Sequence, residues 1–104
     1  MPADHHHHHR ILVGLEVLDE TGYARYRAAM KPILAEFGGA FDYDFVVAQT
    51  LLGPPSINRV FMIAFPDRAA RERLFGDPRY LAVREAHFEP AVAATTLLAE
   101  FDDA

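Results

Sequence analysis

Cysteine is absent from this chain of 104 residues, and so is tryptophan. Without thiols there is no disulfide framework, no thiolate nucleophile and no sulfur-ligated metal. That is compatible with a reducing compartment, and a cytoplasmic location is the expectation. A long hydrophobic run is also missing. The longest, ILVGLEVL at 11–18, is broken by Glu16 and falls far short of the ~20 residues of a membrane span. Neither an export signal nor a membrane anchor is expected. Positive charge is scarce: ten basic residues face fifteen acidic ones, a formal net charge of -5. Such a surface repels phosphate backbones and anionic lipid, so nucleic acid and membrane are not expected partners. There is no glycine-rich phosphate loop after a strand and no nucleophile elbow. Outside the N-terminal run histidine occurs once, at His87, which leaves no ligand spacing for zinc or haem. No cofactor is expected.

What is present is an ordinary globular mixture, 51% hydrophobic and 24% charged, enough for one core and one domain. The opening MPADHHHHHR contains five consecutive histidines with no partner spacing that fixes a metal geometry. Residues 1–9 are read as a disordered tag or natural tract and set apart from the fold, which is placed at 10–101, with an acidic tail at 102–104.

The hydrophobic pattern starts at Arg10. Residues 10–18 are apolar at odd and even positions alike, apart from Glu16, as in a central strand covered on both faces. Asp19 is an N-cap for a helix whose Tyr23, Tyr26, Met30, Ile33, Leu34 and Phe37 recur at three and four, ending at Gly38-Gly39. FDYDFVVAQTLL, 41–52, alternates as a strand, with Phe41, Tyr43 and Phe45 on one face and Asp42 and Asp44 on the other. GPPSI turns the chain into a second strand, 58–65. Asp67 caps a short helix stopped by Gly76. Asp77 and Pro78 then start another that reaches about Phe88 and ends before Pro90. AVAATTLLAEF, 91–101, is the last strand.

Strand, helix, strand, strand, helix pair, strand is the ferredoxin-like βαββαβ order of an α+β fold. Right-handed crossovers put the helices on one side of a four-stranded antiparallel sheet and leave the other side bare. Apolar residues on both faces of 11–18 and 91–101 argue that a second copy covers it, giving a homodimer through the sheet faces.

The words GYARYRAAMKPILAEFGG, FPDRAARERLF and DPRYLAVR resemble the bacterial family called domain of unknown function 1330, over nearly all of 11–101. The resemblance implies a dimeric α+β barrel in which two ferredoxin-like sheets face one another. By fold analogy it points toward small cofactor-independent monooxygenases and isomerases, although a fold does not transmit chemistry. The pattern departs at Ala64, where many members carry glutamate, so a scheme through that carboxylate does not carry over.

Candidate site residues follow from residue type. Tyr23, Tyr26 and Tyr80 place phenols at the ends of apolar bodies, suited either to orienting a ligand oxygen or to plain core packing. Arg59 opens a strand, where its planar fork can take a substrate carboxylate or simply face solvent. Glu16 interrupts an apolar strand, so it lines a cavity or meets water or a second subunit. Asp42 and Asp44 are read as charges on an edge strand, and the arginines of 68–84 as a solvated face laced with ion pairs. His87 stands seven residues after Tyr80, two helical turns along roughly the same side. It is the candidate general base, because imidazole titrates near neutrality; the alternative is a helix-end histidine bonded to the last carbonyls. A small-molecule pocket between sheet and helices suits an enzyme or a non-catalytic binder, while a purely dimerising module needs none.

Divalent metal should bind only at His5 to His9. A zinc or nickel titration of the protein lacking residues 1–9 is expected to show no tight stoichiometric site; such a site would reveal ligands within the folded part.

Overall fold

The computed structural model of the chain describes residues 8–102. Asp19 has extended backbone and accepts a hydrogen bond from the Gly22 N–H at 3.1 Å, which opens α1, Glu20–Glu36. The side chains repeating every three to four residues, Tyr23, Tyr26, Met30, Ile33 and Leu34, are the ones α1 buries. Gly38 closes the helix with φ +76°, and a Cβ there would stand 2.7 Å from Pro66 Cγ. Only glycine meets both demands. The second helical region begins with the same device used twice. Asp67 accepts from the Ala70 N–H at 2.8 Å to start α2, Arg68–Gly76; Asp77 accepts from the Arg79 N–H at 2.7 Å to start α3, Pro78–Val83.

α3 does not run unbroken to Phe88. Arg84–Phe88 forms a π turn, in which the Glu89 N–H reaches back to the Arg84 carbonyl, and α4, Glu89–Ala91, follows. Pro90 therefore does not end the helical path where its ring alone suggests. Proline has no N–H to give and crowds the carbonyl four residues back, and the widened turn just before it relieves that crowding.

The strands are β1, His9–Val17; β2, Ala40–Val46; β3, Arg59–Phe65; and β4, Val92–Asp102. They form one antiparallel sheet in the order β2-β3-β1-β4, the ferredoxin-like α+β topology expected from the element order. β1 starts at His9, one residue before the expected boundary, and β4 runs one residue into the acidic tail. The reason is mutual: the buried His9 ring places Nδ1 2.7 Å from Asp102 Oδ1 and Nε2 3.6 Å from Glu100. A truncation meant to remove the histidine run should therefore stop at His8. The disorder expected for 1–7 lies outside the described residues.

Between the sheet and the helices lies the core. Ile11, Val13, Leu15 and Val17 of β1 and Phe61, Ile63 and Phe65 of β3 meet Tyr23, Tyr26, Met30, Leu34, Leu74 and Phe88 there. Side chains paired across strands share a face, so Leu12, Glu16, Val60 and Met62 point the other way, and no helix covers them.

The β2 pattern differs from simple alternation. Its register with β3 shifts between Phe41 and Tyr43, so Phe41 pairs with Ile63, Asp44 with Phe61, and Tyr43 with Met62. This bulge at Asp42 puts Phe41 and Asp44 on the helix face and leaves Tyr43 and Phe45 stacked on the open one. Favourable contacts hold the shifted register. Phe41 packs edge-on to Phe61 with the Arg27 guanidinium over its ring, and the Asp44 side chain, 7% exposed, takes Arg59 Nη1 and Arg27 Nε, each at 2.8 Å. The hydroxyl of Tyr23 donates to the same carboxylate at 3.1 Å. Asp42 instead meets Arg10 at 3.2 Å near the surface.

The two aspartates should separate sharply in urea unfolding. Asp44→Ala removes the carboxylate shared by Arg27 and a largely buried Arg59, leaving Arg59 only Glu20, and is expected to cost about 3 kcal/mol. Asp42→Ala removes a partly exposed pair and should cost under about 1 kcal/mol. Equal losses would contradict the bulged register.

Candidate functional site

A cavity of about 330 Å³ opens between the sheet and the second helical region. Its sheet wall is apolar: Ile11 and Val13 of β1, Phe61 and Ile63 of β3, and Leu97 of β4, with Thr95 beside them. The helices supply Tyr26 from α1, Arg71 and Phe75 from α2, Tyr80 from α3, and Arg84 and Phe88 from the π turn. This is the composition of a small-molecule site, an apolar enclosure with a few convergent polar groups, at the small end of the usual ~300–1,000 Å³.

The polar groups converge through aromatic contacts. Tyr26 and Tyr80 bring their hydroxyls to 3.0 Å. The Tyr26 ring lies 4.7 Å from that of Phe88, the Arg84 guanidinium carbon sits 5.5 Å over Phe88, and Tyr80 meets Phe75 edge-on at 5.2 Å. Burial pushes both phenol pKa values up. For Tyr26 the adjacent Tyr80 hydroxyl adds to the rise, while for Tyr80 the hydrogen bond to Tyr26 and the Arg84 charge partly offset it. Both therefore stay protonated at neutral pH. Whichever phenol donates to the other, one O–H is left to donate elsewhere.

The sequence candidates fall into separate places. Tyr26 and Tyr80 line the cavity and touch each other. Tyr23 and Arg59 come together in another cluster, around Asp44. There Arg59 also bonds Glu20 at 2.8 Å and lies 4.8 Å over the Tyr23 ring. Burial works against the Arg59 charge, but its two carboxylate partners outweigh this and raise its pKa; burial first, and then Asp44, raises that of Tyr23. Every polar contact in this cluster is internal, so it ties α1 to β2 and β3. Glu16 is half-buried on the open sheet face, the opposite side from the cavity, beside Gly14. Thr95, by contrast, lines the cavity.

His87 is half-buried within the π turn and is not among the lining residues. The turn itself accounts for this. An α-helix advances about 100° per residue and a π turn roughly 80°. An unbroken α-helix would hold His87 within about 20° of Tyr80 and swing Phe88 about 80° away; the wider turn exchanges them.

Arg71, Arg84, Phe75 and Phe88 were not singled out as site residues in the sequence. The spacing of Tyr80, Arg84 and Phe88 at successive fours was the available signal, masked by the many charges of 67–85. Among the described residues no group of three or more histidine, aspartate or glutamate side chains is placed to hold a metal ion. None of the helices among them is long and apolar enough to cross a membrane.

Several solved structures are similar to this chain. A protein of unknown function from Rhodopseudomonas palustris aligns with TM-score 0.78 at 19% identity, covering 95% of this chain and 84% of its own. A dimeric ferredoxin-like protein of unknown function from Jannaschia sp. CCS1 aligns with TM-score 0.66 at 16% identity, over 91% of this chain and 98% of its own. An uncharacterised NIPSNAP domain protein from Burkholderia xenovorans aligns with TM-score 0.64 at 16% identity, over 92% and 94%. At such identities these likenesses establish the fold alone. No curated protein matches the chain. The profile described as domain of unknown function (DUF1330) matches residues 11–101, and this chain belongs to that family.

Proposed function

We propose that this protein is a homodimer, joined through its open sheet faces, whose subunits each bind a small apolar molecule in the cavity and polarise an oxygen of it with the Tyr26–Tyr80 pair. The observation that carries the reading is the pair itself: two buried, protonated phenols, bonded to each other at 3.0 Å in an apolar chamber, with one donor left over. A donor fixed in a low-dielectric wall is worth more to a developing negative charge on oxygen than the same donor in water. The chemistry this favours is proton transfer beside a carbonyl or phenolic oxygen, the isomerase- or monooxygenase-like class. The second reading, a binder without turnover, uses the same cavity and the same donor.

The dimer is supported by the open face. Leu12, Val60 and Met62 are only half-buried and Tyr43, Phe45, Leu98 and Phe101 are exposed, a patch too apolar for a small monomer to leave in water. The Jannaschia protein of like fold is described as dimeric. Light scattering at micromolar concentration is expected to give twice the 11.7 kDa of the chain; a mass near 11.7 kDa would sink the dimer.

For the cavity, a screen of small ring ketones and phenols by amide chemical shifts should move resonances of the lining residues. Tyr80→Phe should weaken the hits about tenfold, and hits that ignore both Tyr80→Phe and Tyr26→Phe would remove the phenols from the site. Turnover separates the two readings. His87, the general base expected from the sequence, lies outside the cavity lining and is turned away from the Tyr80 side, so it has no place in the proton transfer at this cavity. His87→Ala is accordingly expected to leave ligand affinity and any turnover unchanged; abolished turnover would return His87 to the site.

Because the phenol pKa values are raised on folding, the unfolded chain ionises first. The stability they contribute is whole below pH ~10 and is lost as pH rises above it. Absorbance titration at 295 nm is expected to show Tyr23, Tyr26 and Tyr80, three of the four tyrosines, ionising only as the chain unfolds.

A further inference from the structure

We infer that the ligand of this cavity is a small cyclic or aromatic monocarboxylate, its ring against the sheet wall and its carboxylate taken by Arg84, Arg71 and the spare phenol O–H. The inference rests on the cavity reading above and names the class of molecule it holds. The walls alone suit any small hydrocarbon body, so the charges decide the rest. Two guanidinium groups line the chamber of a chain whose formal net charge is -5. Most of the other arginines are engaged by carboxylates: Arg59 and Arg27 by Asp44, Arg79 by Asp77 and Glu36, Arg68 by Glu100.

Arg84 differs. Among the described residues no carboxylate lies within ion-pair distance of it, and the contact it makes is with the face of Phe88. Its charge is felt by both phenols, lowering the pKa of each against the larger effect of burial. The guanidinium and both phenols line the same chamber. Arg71 points the same way. Its Nη2 lies 3.4 Å from Glu100, but that carboxylate is shared with Arg68 at 3.2 Å and the His9 ring at 3.6 Å. The Arg71 guanidinium lines the chamber with one long, shared carboxylate contact.

Two guanidinium forks and one phenol present planar donors, which match the two in-plane oxygens of a carboxylate. A phosphate fits less well, since no glycine-rich loop contributes backbone N–H groups to this wall and much of the lining is hydrocarbon. The volume admits one ring and its acid group, and leaves little for a second.

The test compares phenylacetate with phenylacetamide, which has the same shape without the charge, by titration calorimetry and amide chemical shifts on the full-length protein. Phenylacetate is expected to bind at least about tenfold more tightly than the amide, shifting resonances of Tyr80, Arg84 and Thr95. Arg84→Met should weaken phenylacetate about tenfold and erase its advantage over the amide, with the unfolding midpoint unchanged because the side chain is exposed. Arg84→Lys, which keeps the charge and loses the fork, should fall between. Arg71→Met serves as the independent second variant and should also weaken the acid. If the amide binds the cavity as tightly as the acid, or if neither arginine variant alters the difference, the carboxylate class is wrong while the cavity reading stands. If neither probe binds, the inference is overturned, and the cavity reading is judged by its own screen of ketones and phenols.

Discussion

A sheet has two faces, and this chain covers one. Every helix lies against the same side, so β1 and β3 carry their largest buried residues there and the core forms a single layer. The arrangement determines the rest. Because the helical layer is assembled from one long helix and a series of short ones, it leaves a chamber over β3, β1 and β4, while α1 is tied to β2 through Asp44. Because the other face has no helix, its apolar residues stay open to a second copy.

The two ends of the helical layer use the same residue types to opposite effect. Around Asp44 the arginines, the phenol of Tyr23 and the carboxylates bond to one another, and the cluster reads as a clamp holding α1 to the bulged strand. Around Tyr80 no carboxylate among the described residues reaches Arg84, the one near Arg71 is shared, and the contacts that remain are between phenols and rings. Sequence alone does not separate these cases, since Tyr23 and Tyr26 stand on the same helix three residues apart.

Element order, caps and the bare face were readable because each has a local cause: Asp19, Asp67 and Asp77 cap helices, Pro78 starts one, and Gly38 ends another. The misplacements share a cause that is not local. Alternation along 41–45 assumed an unbroken strand, whereas the pull of Arg27, Arg59 and Tyr23 on Asp44 inserts a bulge. The phase of the helix after Tyr80 assumed 3.6 residues per turn, whereas the path to Pro90 and β4 widens it. In both, one residue of register decided which side chain faces the core. Arg84 reads in the sequence as part of a solvated, ion-paired face, because its lack of a carboxylate partner among the described residues appears only in three dimensions.

The π turn at Arg84–Phe88 also sets how this surface can change over evolutionary time. A substitution there alters one side chain at a time. Deleting a single residue ahead of Phe88 would return the helix to its ordinary pitch and put that ring seven residues after Tyr80, within about 20° of it, so the phenyl ring would stay at the chamber and the imidazole outside it. Relatives shorter by one residue in this segment would then present the same ring on the same scaffold, with a helix of ordinary pitch in place of the bulge. Alignments of such chains should place the gap with care, because its position decides which residue counts as the counterpart of Phe88.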